Sequence, residues 1–212
     1  MFQENFLRLA EQRIINCKLC SLHSDTLPAL VGSGNTKTEI MFVSDAVGNA
    51  ECSTGRAFMG NKSQILFDRA LKEHELTRQD VYTTSCLKCS IESKGKIPDG
   101  SFKECAKHLF YQIELIQPKV ICAMGPRSTK IILDEYRYKE QKEGMMNLHG
   151  KPILIRPKGR TVNHKRVNVP SFKLYLIPTF NPSAVDNFTT DQTIIDDIGV
   201  AKTILNFKEL LF

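Results

Sequence analysis

Residues 39–61, EIMFVSDAVGNAECSTGRAFMGN, decide how the chain is organised. Ile40–Val43 is a short apolar run without the polar alternation of a half-exposed strand, so it reads as a strand buried on both faces. Ser44–Asn61, with its glycines and small polar residues, reads as a long loop. In open α/β sheets the loops beyond the carboxyl ends of the strands are where sites assemble, so this loop is the first place to look for chemistry.

The same pattern continues outward. Ser63–Glu75 predicts a helix with Ile65, Leu66 and Leu71 on one side. Val81–Thr84 is a second strand, and Phe102–Gln117 a helix carrying Cys105, Leu109, Ile113 and Ile116 at helical spacing. Pro118 stops that helix. Val120–Ala123 is a third strand, Gly125-Pro126 turns into a helix through Leu133, and Leu174–Ile177 is a fourth strand. A last helix is expected over roughly Thr193–Leu211. Strands separated by helices predict parallel crossover units and an α/β domain with four main strands. The loops after strands one, two and four, at Ser44–Asn61, from Ser85 onward and at Thr179–Phe188, are the expected site. Between Asp134 and Phe172 the pattern blurs: Pro152–Arg156 reads as an extra strand and about 135–172 as an insertion in one domain spanning 1–212.

No apolar window is long enough to span a bilayer, and MFQENFLRLAEQR at the start carries charges where a signal peptide needs an apolar run. The expected setting is reducing and cytoplasmic, nucleoid-associated in a bacterium, with no membrane partner and a monomeric state. A net charge of +6 permits an anionic partner without requiring one. Basic residues cluster at Lys158, Arg160, His164, Lys165 and Arg166, and at Lys94 and Lys96. Both stretches read equally well as solvated loops or as phosphate contacts.

Seven cysteines are an odd count, which together with a reducing compartment argues against a disulfide framework. Cys17-Lys-Leu-Cys20 brings two thiols close enough to share a metal centre. Cys89 and Cys105 could complete the set or be buried small hydrophobes. Spacing alone does not separate zinc from iron–sulfur. Cys122, inside an apolar strand, reads as a core residue, and Cys52 and Cys86 have no assignment.

The order of these landmarks resembles the iron–sulfur uracil-DNA glycosylases of family 4. The matching pieces are Cys17-Lys-Leu-Cys20, EIMFVSDAVG (39–48), GRAFMG (55–60), VYTTSCLKC (81–89), KEC (103–105), IQPKVICAMG (116–125) and PTFNPSAV (178–185). The resemblance covers roughly residues 14–188. It implies a three-layer α/β/α sandwich around a mostly parallel four-stranded sheet, DNA as partner, and a [4Fe–4S] cluster on Cys17, Cys20, Cys89 and Cys105.

The same resemblance carries site roles onto Asp45, Phe58, Gly48, Ser85, Asn181 and Ser183, and departs from the family pattern at three of them. The family's first-motif glutamate falls on Asp45, its uracil-reading asparagine on Ser85, and the histidine of its H-P motif on Asn181. Asp45 keeps a carboxylate on a shorter arm, or else caps a turn. Ser85 lacks the two-sided hydrogen-bonding face of an amide and leaves room for a bulkier base. Asn181 can donate to a pyrimidine oxygen but cannot become cationic. Phe58 matches the aromatic that stacks on an extruded base, against the commoner fate of a core phenylalanine. Gly48 belongs to the base pocket, Ser183, Lys165 and Arg166 to the DNA contact, and Phe188 is a wedge or an anchor.

These residues imply a DNA glycosylase for uracil or another modified pyrimidine, with Asp45 and Asn181 as catalytic groups. The alternative is a DNA-binding relative that no longer cuts; a weaker one is an interaction subunit stapled by its cluster. The resemblance also implies no covalent capture of an abasic sugar, since the relative of this family that does so needs a histidine in the loop before the fourth cysteine and residues 90–104 contain none.

Overall fold

The computed structural model describes residues 2–24, 26–92, 96–136, 138, 143–156, 161–162, 165–166, 172–184 and 188–207. Helix α1 (Phe2–Ile15) leads into strands β1 (Ser33–Gly34) and β2 (Ile40–Ser44), helices α2 (Asn49–Thr54) and α3 (Asn61–Glu73), and strand β3 (Tyr82–Ser85). Helix α4 (Ser101–Ile116), strand β4 (Val120–Met124), helices α5 (Pro126–Glu135) and α6 (Met145–Leu148), and strand β5 (Ile153–Ile155) follow. The short strands β6 (Thr161–Val162) and β7 (Lys165–Arg166), strand β8 (Leu174–Thr179) and helix α7 (Phe188–Asn206) complete the order.

One sheet runs β1-β3-β2-β4-β8-β5. Its centre, β3-β2-β4-β8, is parallel. The four-stranded expectation is corrected to six, because β1 and β5 add antiparallel edges. Two-residue β1 carries no periodicity to read, and β5 is the extra strand expected within 152–156.

Alternate residues of each central strand feed opposite faces, as the pleat requires. Ile40, Phe42, Val120, Cys122 and Ile177 pack with Leu66, Phe67, Ala70 and Leu71 of α3 and with Ile194, Ile195 and Ile198 of α7. Met41, Val43, Ile121, Ala123 and Leu176 pack with Leu109, Phe110 and Ile113 of α4 and with Ile132 and Leu133 of α5. The molecule is therefore the expected helix–sheet–helix sandwich, with an apolar core on each face of the sheet. Burial on both faces explains why these strands are continuous apolar runs.

Three local expectations change. Ile65 is 71% exposed, so the buried stripe of α3 is Leu66, Phe67, Ala70 and Leu71. The loop after β2 contains α2, whose start is held by the Glu51 carboxylate accepting from the Gly48 N–H at 2.9 Å. Helix α7 begins earlier than expected, at Phe188, and ends at Asn206. Its polar first turn concealed the start, and Asp191 there suits the positive end of the helix dipole.

Candidate active site

The sheet register sets the site. Ser85, Ser44, Met124 and Thr179 stand side by side at the carboxyl edge of β3, β2, β4 and β8. Asp45 follows Ser44, Gly125 follows Met124, and Asn181 lies just beyond Thr179, so one edge gathers Asp45, Ser85 and Asn181. The loops after β2 and β3 then run together: Cys86 N–H donates to the Ser44 carbonyl, Leu87 N–H to that of Asp45, and Ile91 N–H to that of Val47.

Each of the three polar side chains has a defined job within this edge. Asp45 accepts from the backbone N–H of Ser128 at 2.7 Å and of Arg127 at 3.2 Å, capping α5. Gly125 makes this approach possible, since a Cβ there would fall 2.5 Å from the Asp45 carboxylate. Burial raises the Asp45 pKa, and the two backbone donors oppose that rise. Ser85 is fully buried and donates to the Leu87 carbonyl, so its hydroxyl shapes the turn leading to Cys89. The Asn181 side-chain oxygen accepts from Ser183 N–H at 3.0 Å and Ser183 Oγ at 2.8 Å. That Asx turn commits the oxygen and leaves the NH₂ end of the amide as the group able to donate outward.

Phe58 is 3% exposed and stacks on Phe67 with ring centroids 4.3 Å apart. Its backbone is left-handed, at φ 55°, a costly conformation for a phenylalanine. Arg78 holds it there. The guanidinium donates to the Ala57 and Phe58 carbonyls, both at 2.8 Å, and to Asp68 Oδ1 at 2.6 Å. It also lies 4.9 Å from the centre of the Phe67 ring. Arg78 was not among the residues the sequence singled out; a lone arginine in a turn carries no motif. Gly48 lies in the same loop, beneath the Glu92 carboxylate.

A second unannounced group stands behind Asn181. Asp197 of α7 is buried, accepting from Thr179 Oγ1 at 2.6 Å and pairing with His149 Nδ1 at 3.2 Å. The His149 ring packs on Phe180 at 5.1 Å between centroids. Burial raises the Asp197 pKa against these two hydrogen bonds.

Of the residues expected to contact DNA, Ser183 is exposed beside Asn181. Lys165 and Arg166 form β7, paired with Val162 and Thr161. Their side chains lie outside the described residues, as do Lys94, Lys158, Arg160 and His164 and the side chain of Phe188.

The four singled-out cysteines come together. Cys17, Cys20, Cys89 and Cys105 line one cavity with Ile14, Lys88 and His108, at the junction of α1, the loop after β3 and the start of α4. Cys105, Cys20 and Cys17 all bear on Cys89, whose pKa burial and these neighbours push up to about 12. The Lys88 N–H donates to Cys105 Sγ at 3.3 Å, a polarised contact of the kind that tunes metal-bound sulfur. Among the described residues no three His, Cys, Asp or Glu side chains are drawn to metal-bonding separation. The donor set nonetheless fits a four-thiolate centre: four sulfurs, one cavity and a backbone donor. Cys122, Cys52 and Cys86 are core residues, each at most 1% exposed.

Comparison with known proteins gives a consistent result. The family model described as the uracil DNA glycosylase superfamily matches residues 31–197. A "Type-4 uracil-DNA glycosylase" of Thermotoga maritima is 28% identical over 206 residues, covering 96% of each chain. The protein of that name from Saccharolobus solfataricus is 28% identical over 205 residues, 96% of this chain and 88% of its own. That of Archaeoglobus fulgidus is 32% identical over 123 residues, 58% of this chain and 61% of its own.

Proposed function

Because the chain belongs to the uracil DNA glycosylase superfamily, we propose that it is a DNA-repair glycosylase, a hydrolase of the N-glycosidic bond of uracil or another modified pyrimidine in DNA. The observation that carries this reading is the alignment of Asp45, Ser85 and Asn181 along one carboxyl edge of the sheet. The relatives named for uracil excision give the binding-only alternative no support.

Cleavage needs a base swung out of the stack and held where its glycosidic bond weakens. Phe58, fixed by Arg78, supplies the aromatic surface at the back of the pocket. Gly48 and the β3 end at Ser85, whose hydroxyl is turned to the Leu87 carbonyl, lie at the edge of the base. The Asn181 NH₂ group donates to a pyrimidine oxygen as negative charge collects on the leaving base. A donor of this type is worth roughly 2.7–4 kcal/mol in the transition state. Asp45 uses one lone pair on each oxygen for α5, and a carboxylate has about four in all. Those remaining orient water and offset the positive charge developing on the sugar. Ser183, Lys165 and Arg166 contact the DNA backbone.

Cys17, Cys20, Cys89 and Cys105 would hold a [4Fe–4S] cluster. Bound there, the cluster supplies cross-links between α1, the loop after β3 and α4, and no chemistry on the base. A reducing cytoplasm, where thiols stay free for metal, and a monomeric state accompany this reading. No described helix is long and apolar enough to cross a membrane.

The test is a panel of oligonucleotides bearing uracil, hydroxymethyluracil, hypoxanthine or glycosylated cytosine, read as strand breakage when the abasic site is cleaved by alkali. Breakage on at least one pyrimidine substrate, reduced about a hundredfold or more in Asn181→Ala, is the expected result. DNA binding without breakage on any substrate would overturn it.

A further inference from the structure

Lys88 immediately precedes Cys89 and is only 1% exposed. Its Nζ donates to Thr84 Oγ1 at 2.6 Å and to Gln112 Oε1 at 2.7 Å. Thr84 Oγ1 in turn donates to Gln112 Oε1 at 3.1 Å, and Gln112 Nε2 continues to Tyr82 Oη at 3.0 Å and to the Val31 carbonyl. Every partner in this network is neutral. Among the described residues no Asp or Glu carboxylate pairs with Nζ.

A buried ammonium held only by neutral acceptors is unfavourable unless an opposite charge compensates it. The titratable groups that bear on Lys88 are the Cys105 and Cys86 thiols, both pushed up by burial, so the negative charge in reach of Lys88 is the one a cluster on Cys105 would bring. Lys88 also lines the cavity of the four cysteines, and its own backbone N–H bonds Cys105 Sγ. An iron–sulfur centre on four thiolates is net negative; of the four sulfur donors Cys105 is buried, and Cys17, Cys20 and Cys89 are partly exposed. A cluster held by these cysteines would thus bring its negative charge to the cavity that the buried Lys88 also lines.

We propose that the Lys88 ammonium is the buried countercharge of the iron–sulfur site, an inference that rests on the cluster assignment above. Thr84 and Gln112 do not neutralise Lys88; they fix where its charge sits. Because Thr84 is in β3, directly before Ser85, its hydroxyl ties the cation to the strand that carries the base-recognition position. The sequence offers no sign of this role, since a lysine between two cysteines ordinarily reads as a surface residue.

The experiment is an anaerobic redox titration of iron-loaded wild type, Lys88→Met, Lys88→Arg and Thr84→Val, with iron and acid-labile sulfide measured first. Removing a nearby cation disfavours the more negative, reduced cluster. Lys88→Met should therefore lower the ratio of reduced to oxidised cluster about tenfold at a fixed potential, which is about 59 mV for one electron. Lys88→Arg and Thr84→Val, which keep the charge, should stay within about threefold of wild type. If Lys88→Met cannot be loaded with iron while Lys88→Arg can, the proposal is equally supported. A loaded Lys88→Met with an unshifted potential overturns it, as does failure of both Lys88 variants to load, which would make packing rather than charge the requirement. Absence of iron and sulfide from wild type would remove the cluster assignment itself, and this inference with it.

Discussion

The Asp45 carboxylate accepts the Ser128 N–H at 2.7 Å, so the side chain that ends the central strand also caps the helix that follows the neighbouring strand. One residue therefore serves the fold and the candidate chemistry together, and the two roles separate by substitution. Asp45→Asn keeps an oxygen for the cap, whereas Asp45→Ala removes it. Urea unfolding should show Asp45→Ala about 1 kcal/mol less stable and Asp45→Asn close to wild type. Base release should fall about a hundredfold or more in both. An Asp45→Asn protein with full activity would reduce Asp45 to a helix cap.

Arg78 bridges the Ala57 and Phe58 carbonyls and Asp68, and fixes a phenylalanine in a left-handed conformation. Arg78→Met keeps much of the stem but loses these charge-assisted hydrogen bonds, which contribute about 1.5–3 kcal/mol each in favourable cases. The expected result is a lower melting temperature together with a raised KM for the DNA substrate. A melting temperature unchanged from wild type would show that Phe58 keeps its conformation without help.

Asp197 gives the stability a pH signature. Burial raises its pKa in the folded protein above the unfolded value of about 3.9. The folded state therefore binds this proton more tightly, and stability is lost as pH rises from the unfolded pKa through the folded one. Asp197→Asn removes that component of the slope. Urea midpoints from pH 3.5 to 7 should fall less steeply with rising pH in Asp197→Asn than in wild type. Identical slopes in the two proteins would contradict the buried-carboxyl account.

The cysteines divide into two classes with different losses. Cys→Ser at Cys17, Cys20, Cys89 or Cys105 should reduce bound iron and the visible absorption of an anaerobically purified protein. Cys122→Ser, in the core between β2 and β8, should keep the iron and cost about 1–3 kcal/mol for a hydroxyl without a partner. Colourless wild-type protein containing zinc would reassign the centre.

Much of the architecture was legible because burial on both faces leaves a simple mark. Ile40–Val43, Val120–Ala123 and Leu174–Ile177 could only be central strands, and their alternation with helices required parallel crossovers. Edge strands β1 and β5 were harder to read, since short strands paired on one side carry little periodicity. Ile65 was misplaced for a related reason: three apolar neighbours on a helix do not say which one faces the sheet.

By itself the hydrophobic period determined an α/β domain with parallel crossovers and the loops that follow its central strands, because period is a local property; the sandwich and the set of four cysteines were implied by the order of motifs shared with a known family. The tertiary structure alone decided what the polar side chains do. Whether Asp45 caps α5, whether Asn181 commits its oxygen to Ser183, and whether Lys88 lies inside on Thr84 and Gln112 depend on residues brought near by the register of four strands. Hydrogen bonds and electrostatic compensation are set by distance in space, and the sequence records only distance along the chain.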